Sequence, residues 1–154
     1  MSVNNPVEVN VSHPTRRVAF QPIRALLQIV AEGERISING LSIVFADHET
    51  VRRLNRNHLG RSYTTDVIAF DLRDTPGTGP VDGEIYVDLD TAAERAPEFG
   101  VRYTDEVWRY TVHGMLHLTG RHDDTEDGKQ EMKGLEDRYL REYLARRNAI
   151  HIFN

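Results

Sequence analysis

Apolar and polar residues follow two alternating patterns along the chain, which together predict four strands and five helices. Alternation or short apolar runs bounded by turn residues predict the strands, and apolar residues spaced three or four apart predict the helices. The predicted strands are 7–11, 41–45, 66–70 and 84–88. The predicted helices are 20–31, 47 to about 57–60, 89–98, 103–119 and 126–147, with a Gly- and Pro-rich loop over 73–83.

This order of elements predicts an α+β fold, a small four-stranded mixed sheet packed with helices. The run Asp66–Phe70 is apolar enough to predict a central strand, and the helix over 103–119 is expected at the centre of the helical layer. A chain of 154 residues is sized for a single domain with one core. We therefore expect residues 1–154 to form one domain.

Composition narrows the class of protein. Hydrophobic residues make up 39% and charged residues 28% of the chain, which is typical of a globular domain. The sequence has no apolar run near the roughly 20 residues of a membrane span, no signal-peptide pattern, and no cysteine. We expect a cytoplasmic protein without disulfides or thiolate chemistry.

The net charge argues against a nucleic-acid-binding protein whose whole surface is basic. The formal net charge is -5, so any nucleic-acid site must be a local patch. Arginine supplies almost all of the positive charge, and Lys129 and Lys133 are the only lysines in the sequence.

The chemistry of the chain is concentrated at 113–124. His113 and His117 lie four residues apart, a spacing that places two imidazoles on one face of a helix, where they can bind a metal, most often zinc. Gly120 predicts the end of that helix, and a third ligand is then available from the run His122 to Asp124. Three protein ligands with one open position are typical of a catalytic zinc site, so the pattern favours a metal-dependent hydrolase.

One residue argues against a zinc protease. Proteases with two histidines at this spacing carry a glutamate after the first, as the general base. Here that position is Gly114. Peptide hydrolysis therefore becomes the second hypothesis.

The motif and several other blocks resemble a known family. The run 113–120, His-Gly-x-Leu-His-Leu-x-Gly, is similar to the signature of the YbeY family, bacterial rRNA maturation factors and single-strand-specific endoribonucleases. The blocks at 54–55, 65–70 and 83–87 resemble further family blocks in the same order. The likeness extends from about residue 7 to 147.

The resemblance also bears on the third ligand. The family's usual third histidine lies ten residues after the first, and Asp123 occupies that position here, with His122 next to it. The resemblance implies one Zn²⁺ per chain held by His113, His117 and Asp123, with His122 as the alternative third ligand. A carboxylate in this place also makes the site more tolerant of harder metals such as Mn²⁺.

The function that the resemblance implies is zinc-dependent endoribonuclease activity in rRNA maturation, including 16S rRNA 3′-end processing, and in ribosome quality control. Its partners would be rRNA and the ribosome or ribosomal proteins. The alternatives are a metalloprotease-like hydrolase and a non-catalytic ribosome assembly factor. No general base is identified, and the candidates are His58, Asp66 and His122.

The substrate contacts are less well defined. The family usually carries an arginine six residues before the threonine of the 65–70 block, where this chain has Leu59. Arg61 is a possible substitute for it. Tyr63, Tyr86 and Trp108 are candidates for stacking on an unpaired base, and Tyr63 is preferred because Trp108 is expected in the core.

Overall fold

A computed structural model describes residues 6–59 and 66–153 of the protein. The described residues form four strands and five helices, in the predicted order. The strands are β1 (Val7–Ser12), β2 (Ile38–Ala46), β3 (Val67–Asp71) and β4 (Val81–Asp88). The helices are α1 (Phe20–Gly33), α2 (His48–Leu59), α3 (Leu89–Glu98), α4 (Tyr103–Leu118) and α5 (Glu126–Phe153).

The sheet is mixed, with strand order β1-β2-β4-β3. Strands β1, β2 and β4 are parallel, and β3 pairs antiparallel to β4, with Val67 opposite Val87. This confirms the α+β fold, but the prediction that Asp66–Phe70 is central was wrong, because β3 is an edge strand. Its apolar run has another cause: Val67 and Ala69 pack on one face of the sheet, and Ile68 and Phe70 on the other.

Helices cover both faces of the sheet. On one face, α1, α4 and α5 build the main core, in which Leu26, Ile85, Met115 and Tyr139 are almost fully buried. Helix α4 lies in the middle of this layer and packs against α1, α3, α5, β3 and β4. On the other face, Val51 of α2 packs in a smaller cluster with Ile68.

The element ends differ from the prediction where tertiary packing decides them. Strand β4 begins at Val81 rather than Glu84, although Gly83 and Pro80 predict a loop there. A Cβ at Gly83 would lie 2.7 Å from the carbonyl oxygen of Phe70 and 3.0 Å from Leu118, so this glycine permits close packing inside the strand. Helix α5 continues beyond residue 147, to Phe153. None of the helices in the described ranges is long and apolar enough to cross a bilayer.

Candidate metal centre

Helix α4 carries the first two candidate ligands on its partly exposed face. His113 and His117 are half-buried, whereas the residues between them, Gly114 to Leu116, are buried. Gly114 lies against the sheet: a Cβ there would come within 2.7 Å of Ile85 and 3.0 Å of Val67. The glycine that argued against a protease therefore has a packing reason, because a larger side chain at this point would force Ile85 or Val67 to shift.

The turn after α4 reverses the chain toward the two histidines. Gly120 adopts φ 105°, a left-handed conformation that favours glycine. The Gly120 amide donates to His117 O at 3.1 Å, and the Arg121 amide donates to Leu116 O at 3.0 Å, which together form a Schellman motif. Gly120 therefore ends the helix, as the sequence predicts.

Side chains then hold the segment 121–125 in place. The Arg121 guanidinium donates to Glu34 at 2.8 Å and also pairs with Glu131 of α5. The Thr125 hydroxyl accepts from the Gly128 amide at 3.0 Å at the start of α5. A Cβ at Gly128 would lie 2.6 Å from His122 O, so α5 begins directly against the loop that carries Asp123.

The three candidate ligand groups converge on one point. His113 Nε2 and His117 Nε2 are 3.0 Å apart; Asp123 Oδ2 lies 3.3 Å from His113 Nε2, and Asp123 Oδ1 lies 3.4 Å from His117 Nε2. Ligand atoms bound at about 2.0–2.1 Å around a tetrahedral zinc lie about 3.3–3.4 Å from one another. Two imidazole nitrogens and one carboxylate oxygen are also a donor set that zinc accepts. Both the spacing and the chemistry of the three groups fit a divalent cation.

A carboxylate lies behind the first histidine. His113 Nδ1 is 2.6 Å from Glu136 Oε2, and a proton on Nδ1 leaves the Nε2 lone pair facing the other two groups. Burial lowers the pKa of His113, but the hydrogen bond and negative charge of Glu136 and the charge of Asp123 outweigh it, so the pKa is raised overall. Glu136 thereby fixes the orientation of the imidazole, and its negative charge stabilises positive charge on the ring.

The pKa of the second histidine is shifted in the opposite direction. Burial lowers the pKa of His117, and neighbouring His113 lowers it further, so the net direction is below the ordinary histidine value. The lowered pKa of His117 favours the neutral imidazole, the state that can bind a metal.

The alternative third ligand lies near His117 but outside the cluster. His122 and Asp124 are exposed, and the cluster whose ligand atoms approach one another consists of His113, His117 and Asp123. Among the described residues, the structure thus brings Asp123 rather than His122 to the two helical histidines. That these three side chains hold a metal stays a prediction.

The remaining candidates, for proton transfer, phosphate contact and base stacking, do not form one group in the structure. Asp66 lies in a cavity next to His113, 3.8 Å from Arg95. Tyr86 packs edge-on against Phe70, and Trp108 is buried against Tyr143, so neither borders the cluster. Arg61, Tyr63 and the side chains of His58 and Leu59 fall outside the described residues.

Two cavities meet at the cluster, and both are lined by Val67, His113 and Asp123. One, of about 560 Å³, extends along α5 past Lys129 and Lys133, and we call it the lysine cavity. The other, of about 620 Å³, extends past His117, Asp71 and Asp124, and we call it the acidic cavity. A substrate that occupied both would place its central group at the three candidate ligands.

Sequence reasoning missed the carboxylate behind His113 and the aromatic side chain beside the site. Glu136 and Phe99 come from α5 and the end of α3, and no local spacing relates either to the histidines. Lys129 and Lys133 were visible only as the two lysines of an arginine-rich chain. The relative placement of α3, α4 and α5 is the information needed to find these residues.

The sequence is similar to that of a known protein family. The family model described as Endoribonuclease YbeY matches residues 8–144. The Endoribonuclease YbeY of Salinibacter ruber is 43% identical over 146 residues, covering 90% of this chain and 92% of the relative. That of Chlorobaculum tepidum is 33% identical over 133 residues, covering 86% and 95%.

A solved structure has a similar fold. The solution structure of TM1509 from Thermotoga maritima superposes with a TM-score of 0.62 at 22% identity, covering 93% of this chain and 92% of that one. At that identity the likeness concerns the fold alone. Together with the family match, it confirms the resemblance and the fold class predicted from the sequence.

Proposed function

Because this chain belongs to the YbeY family of endoribonucleases, we propose that it uses a zinc ion to hydrolyse phosphodiester bonds in single-stranded RNA during rRNA maturation. As a member of that family it is an enzyme, a hydrolase of the endonuclease class. The observation that carries the metal part of the proposal is the convergence of His113, His117 and Asp123, whose facing atoms are 3.0–3.4 Å apart.

Zinc is the metal that best suits these groups. Two imidazoles favour zinc over magnesium or calcium, which prefer all-oxygen sites. Three protein ligands also leave a position open, as in catalytic rather than structural zinc sites. When bound, such a cation supplies Lewis-acid polarisation of a phosphoryl oxygen and makes water more acidic near the scissile bond.

The side chains of the chain itself orient this site. Glu136 accepts a hydrogen bond from His113 Nδ1 and keeps the opposite ring nitrogen facing the cavities. The Schellman motif at Gly120 and the ion pairs of Arg121 hold the loop that presents Asp123. Asp66 lines the lysine cavity outside the ligand set and is the candidate proton acceptor in this proposal.

The biological setting follows from the family resemblance. We propose that the substrate is rRNA, with 16S rRNA 3′-end processing and ribosome quality control as the roles, in the cytoplasm. The net charge of -5 is unfavourable for binding free RNA, so we propose that the ribosome or ribosomal proteins supply part of the affinity. The chain acts in this proposal as one domain, since helices from both halves of the sequence share one core with the sheet.

Family membership argues against the alternative of a non-catalytic ribosome assembly factor, for which the negative charge speaks because it weakens binding of free RNA. A cleavage assay separates the two hypotheses. Purified protein is incubated with single-stranded RNA, with and without a chelator, and then with zinc or manganese added back. His117→Ala is compared with His122→Ala, because the latter removes a neighbouring histidine from outside the cluster.

We expect cleavage by the wild type and by His122→Ala, with loss on chelation, recovery with metal, and loss in His117→Ala. Circular dichroism checks that both variants are folded. Cleavage that resists both the chelator and His117→Ala would contradict metal-dependent catalysis at this site. Absence of cleavage by the metal-loaded wild type, with ribosomal subunits also present, would favour the assembly-factor alternative.

A further inference from the structure

The lysine cavity differs in charge from the acidic cavity across the candidate metal centre. Four cationic side chains line it, Arg95, Arg109, Lys129 and Lys133, together with four carboxylates, Asp66, Glu106, Asp123 and Glu136. Among the described residues that line the acidic cavity there is no arginine or lysine, and Asp71, Asp123 and Asp124 contribute carboxylates. A polyanion that crosses the metal centre therefore finds unequal surroundings on its two sides.

The two lysines are the cations available to a ligand. Arg95 lies 3.8 Å from Asp66, and Arg109 pairs with Glu136 at 3.0 Å, so both guanidinium groups already have carboxylate partners. Lys129 and Lys133 are exposed, one helical turn apart on α5, and neither forms an ion pair with another residue in the ranges that the structure describes. These are also the only lysines in the sequence.

An exposed aromatic side chain completes the cavity. Phe99 is 62% exposed and Val101 is 39% exposed, and both line it. Tyr110 also lines it but is only 5% exposed, and its buried hydroxyl lies beside Glu106. An aromatic face for a base and ammonium groups for phosphates are what a nucleotide requires. The volume of about 560 Å³ lies within the range of about 300–1,000 Å³ typical of small-ligand sites.

We propose that the lysine cavity binds the nucleotide on one side of the scissile phosphate, with Lys129 and Lys133 contacting backbone phosphates and the base stacked on Phe99. This inference rests on the proposed ribonuclease function and adds the direction in which the RNA strand leaves the metal centre. On this side the strand meets lysines and an aromatic ring beside carboxylates, and on the other side it meets carboxylates and histidines, with no arginine or lysine among the described lining residues.

The experiment measures binding of a labelled single-stranded RNA of about 12 nucleotides to metal-loaded protein by fluorescence anisotropy in the cold. The RNA is checked for intactness afterwards. The test variant is Lys129→Gln with Lys133→Gln. The matched control is Arg141→Gln with Arg147→Gln, which removes two charges from the exposed surface of the same helix outside this cavity, neither of them ion-paired within the described part of the chain. Phe99→Ala is compared with Phe99→Tyr, which keeps an aromatic ring.

Loss of two phosphate contacts should weaken binding about tenfold at about 50 mM salt and make the slope of log K against log salt shallower by about 1.4. The control pair should leave the slope unchanged. Phe99→Ala should weaken binding about tenfold, and Phe99→Tyr should restore it. The thermal unfolding temperature should not change for the lysine variant, because both side chains are exposed and form no ion pair with any residue that the structure describes.

Different experimental outcomes would overturn the nucleotide site and the proposed ribonuclease function. If the wild type cleaves RNA but the lysine variant binds with the same affinity and salt slope, the nucleotide site is overturned and the ribonuclease function stands. An equal loss in the lysine and control pairs would also overturn it, because the effect would then be one of net charge. If the wild type neither binds nor cleaves RNA, both proposals are overturned.

Discussion

His113 Nδ1 and Glu136 Oε2 lie 2.6 Å apart, which joins the central helix α4 to α5 directly behind the candidate metal centre. Glu136 is 7% exposed and also accepts from Arg109 at 3.0 Å. Arg109 in turn donates to Asp137 at 2.7 Å. The carboxylate that orients the histidine is thus itself held by a cation.

This relationship predicts the effect of changing Glu136. Glu136→Ala removes the acceptor that fixes the His113 ring, and outer carboxylates of this kind contribute about 10–100-fold to metal affinity. We expect zinc affinity to fall in that range, and less in Glu136→Gln, which keeps an oxygen acceptor. Competition with a chromophoric chelator measures it. Asp137→Asn is the control, because Asp137 binds the same arginine but not the histidine. Equal affinity in Glu136→Ala and the wild type would contradict the assigned role.

A second prediction concerns the start of α5. In Gly128→Ala, the new Cβ would meet His122 O at 2.6 Å, so the loop that carries Asp123 must shift. We expect zinc affinity to fall about tenfold although no ligand is removed. The control is Gly134→Ala in the same helix, where the added Cβ meets no atom within 4 Å. A chelator titration that finds both alanine variants equal to the wild type would show that the loop adapts freely.

A third prediction concerns the contact between α4 and the sheet. Gly114→Ala gains up to about 1 kcal/mol of helix propensity. It also forces a Cβ to within 2.7 Å of Ile85, and overpacking of this kind costs about 1–3 kcal/mol. We expect net destabilisation in urea unfolding, whereas Gly134→Ala should stabilise. A Gly114→Ala variant as stable as Gly134→Ala would show that the helix does not pack as tightly as described.

The fourth prediction is a pH dependence. Hydrogen bonds from the Arg73 side chain, foremost, and from the Gly77 and Arg73 amides lower the pKa of Asp71 to about 2, against the opposing effect of burial. Because the folded-state pKa lies below the unfolded value of about 3.9, this group stabilises the fold above pH 4, and the contribution is lost as pH falls toward 2.

The comparison of wild type with Asp71→Asn tests this dependence. The difference in unfolding free energy should be about 1–2 kcal/mol at pH 6 and should fall to about half at pH 3. Urea unfolding at several pH values measures it. A difference that stays constant between these two pH values would mean that the ionisation of Asp71 does not stabilise the fold.

The elements were predictable where local patterns determine them. The helix over Tyr103–Leu118 and its end at Gly120 follow from apolar spacing and from the left-handed conformation that glycine permits. The edge position of β3 was not predictable, because an edge strand covered on both faces has the same apolar run as a central one. Gly83 shows a similar limit: in a sequence it indicates a turn, and only the approach of Leu118 shows that it belongs in a strand.

The candidate site was likewise predictable only where its residues lie close together in the sequence. The spacing of His113 and His117 and the position of Asp123 lie within eleven residues, so the sequence alone suggested the cluster. Glu136 lies 23 residues beyond His113 and reaches it only because α5 packs beside α4. Phe99 approaches from α3 in the same way. Contacts of this kind depend on how helices pack, and a single sequence carries no local sign of them.

The most direct test of the metal centre is the metal content of purified protein, measured by mass spectrometry for the wild type, Asp123→Ala and His122→Ala. Convergence of His113, His117 and Asp123 predicts about one zinc per chain in the wild type and in His122→Ala, and a large loss in folded Asp123→Ala. Full metal content in Asp123→Ala, with the loss in His122→Ala instead, would contradict the assigned centre.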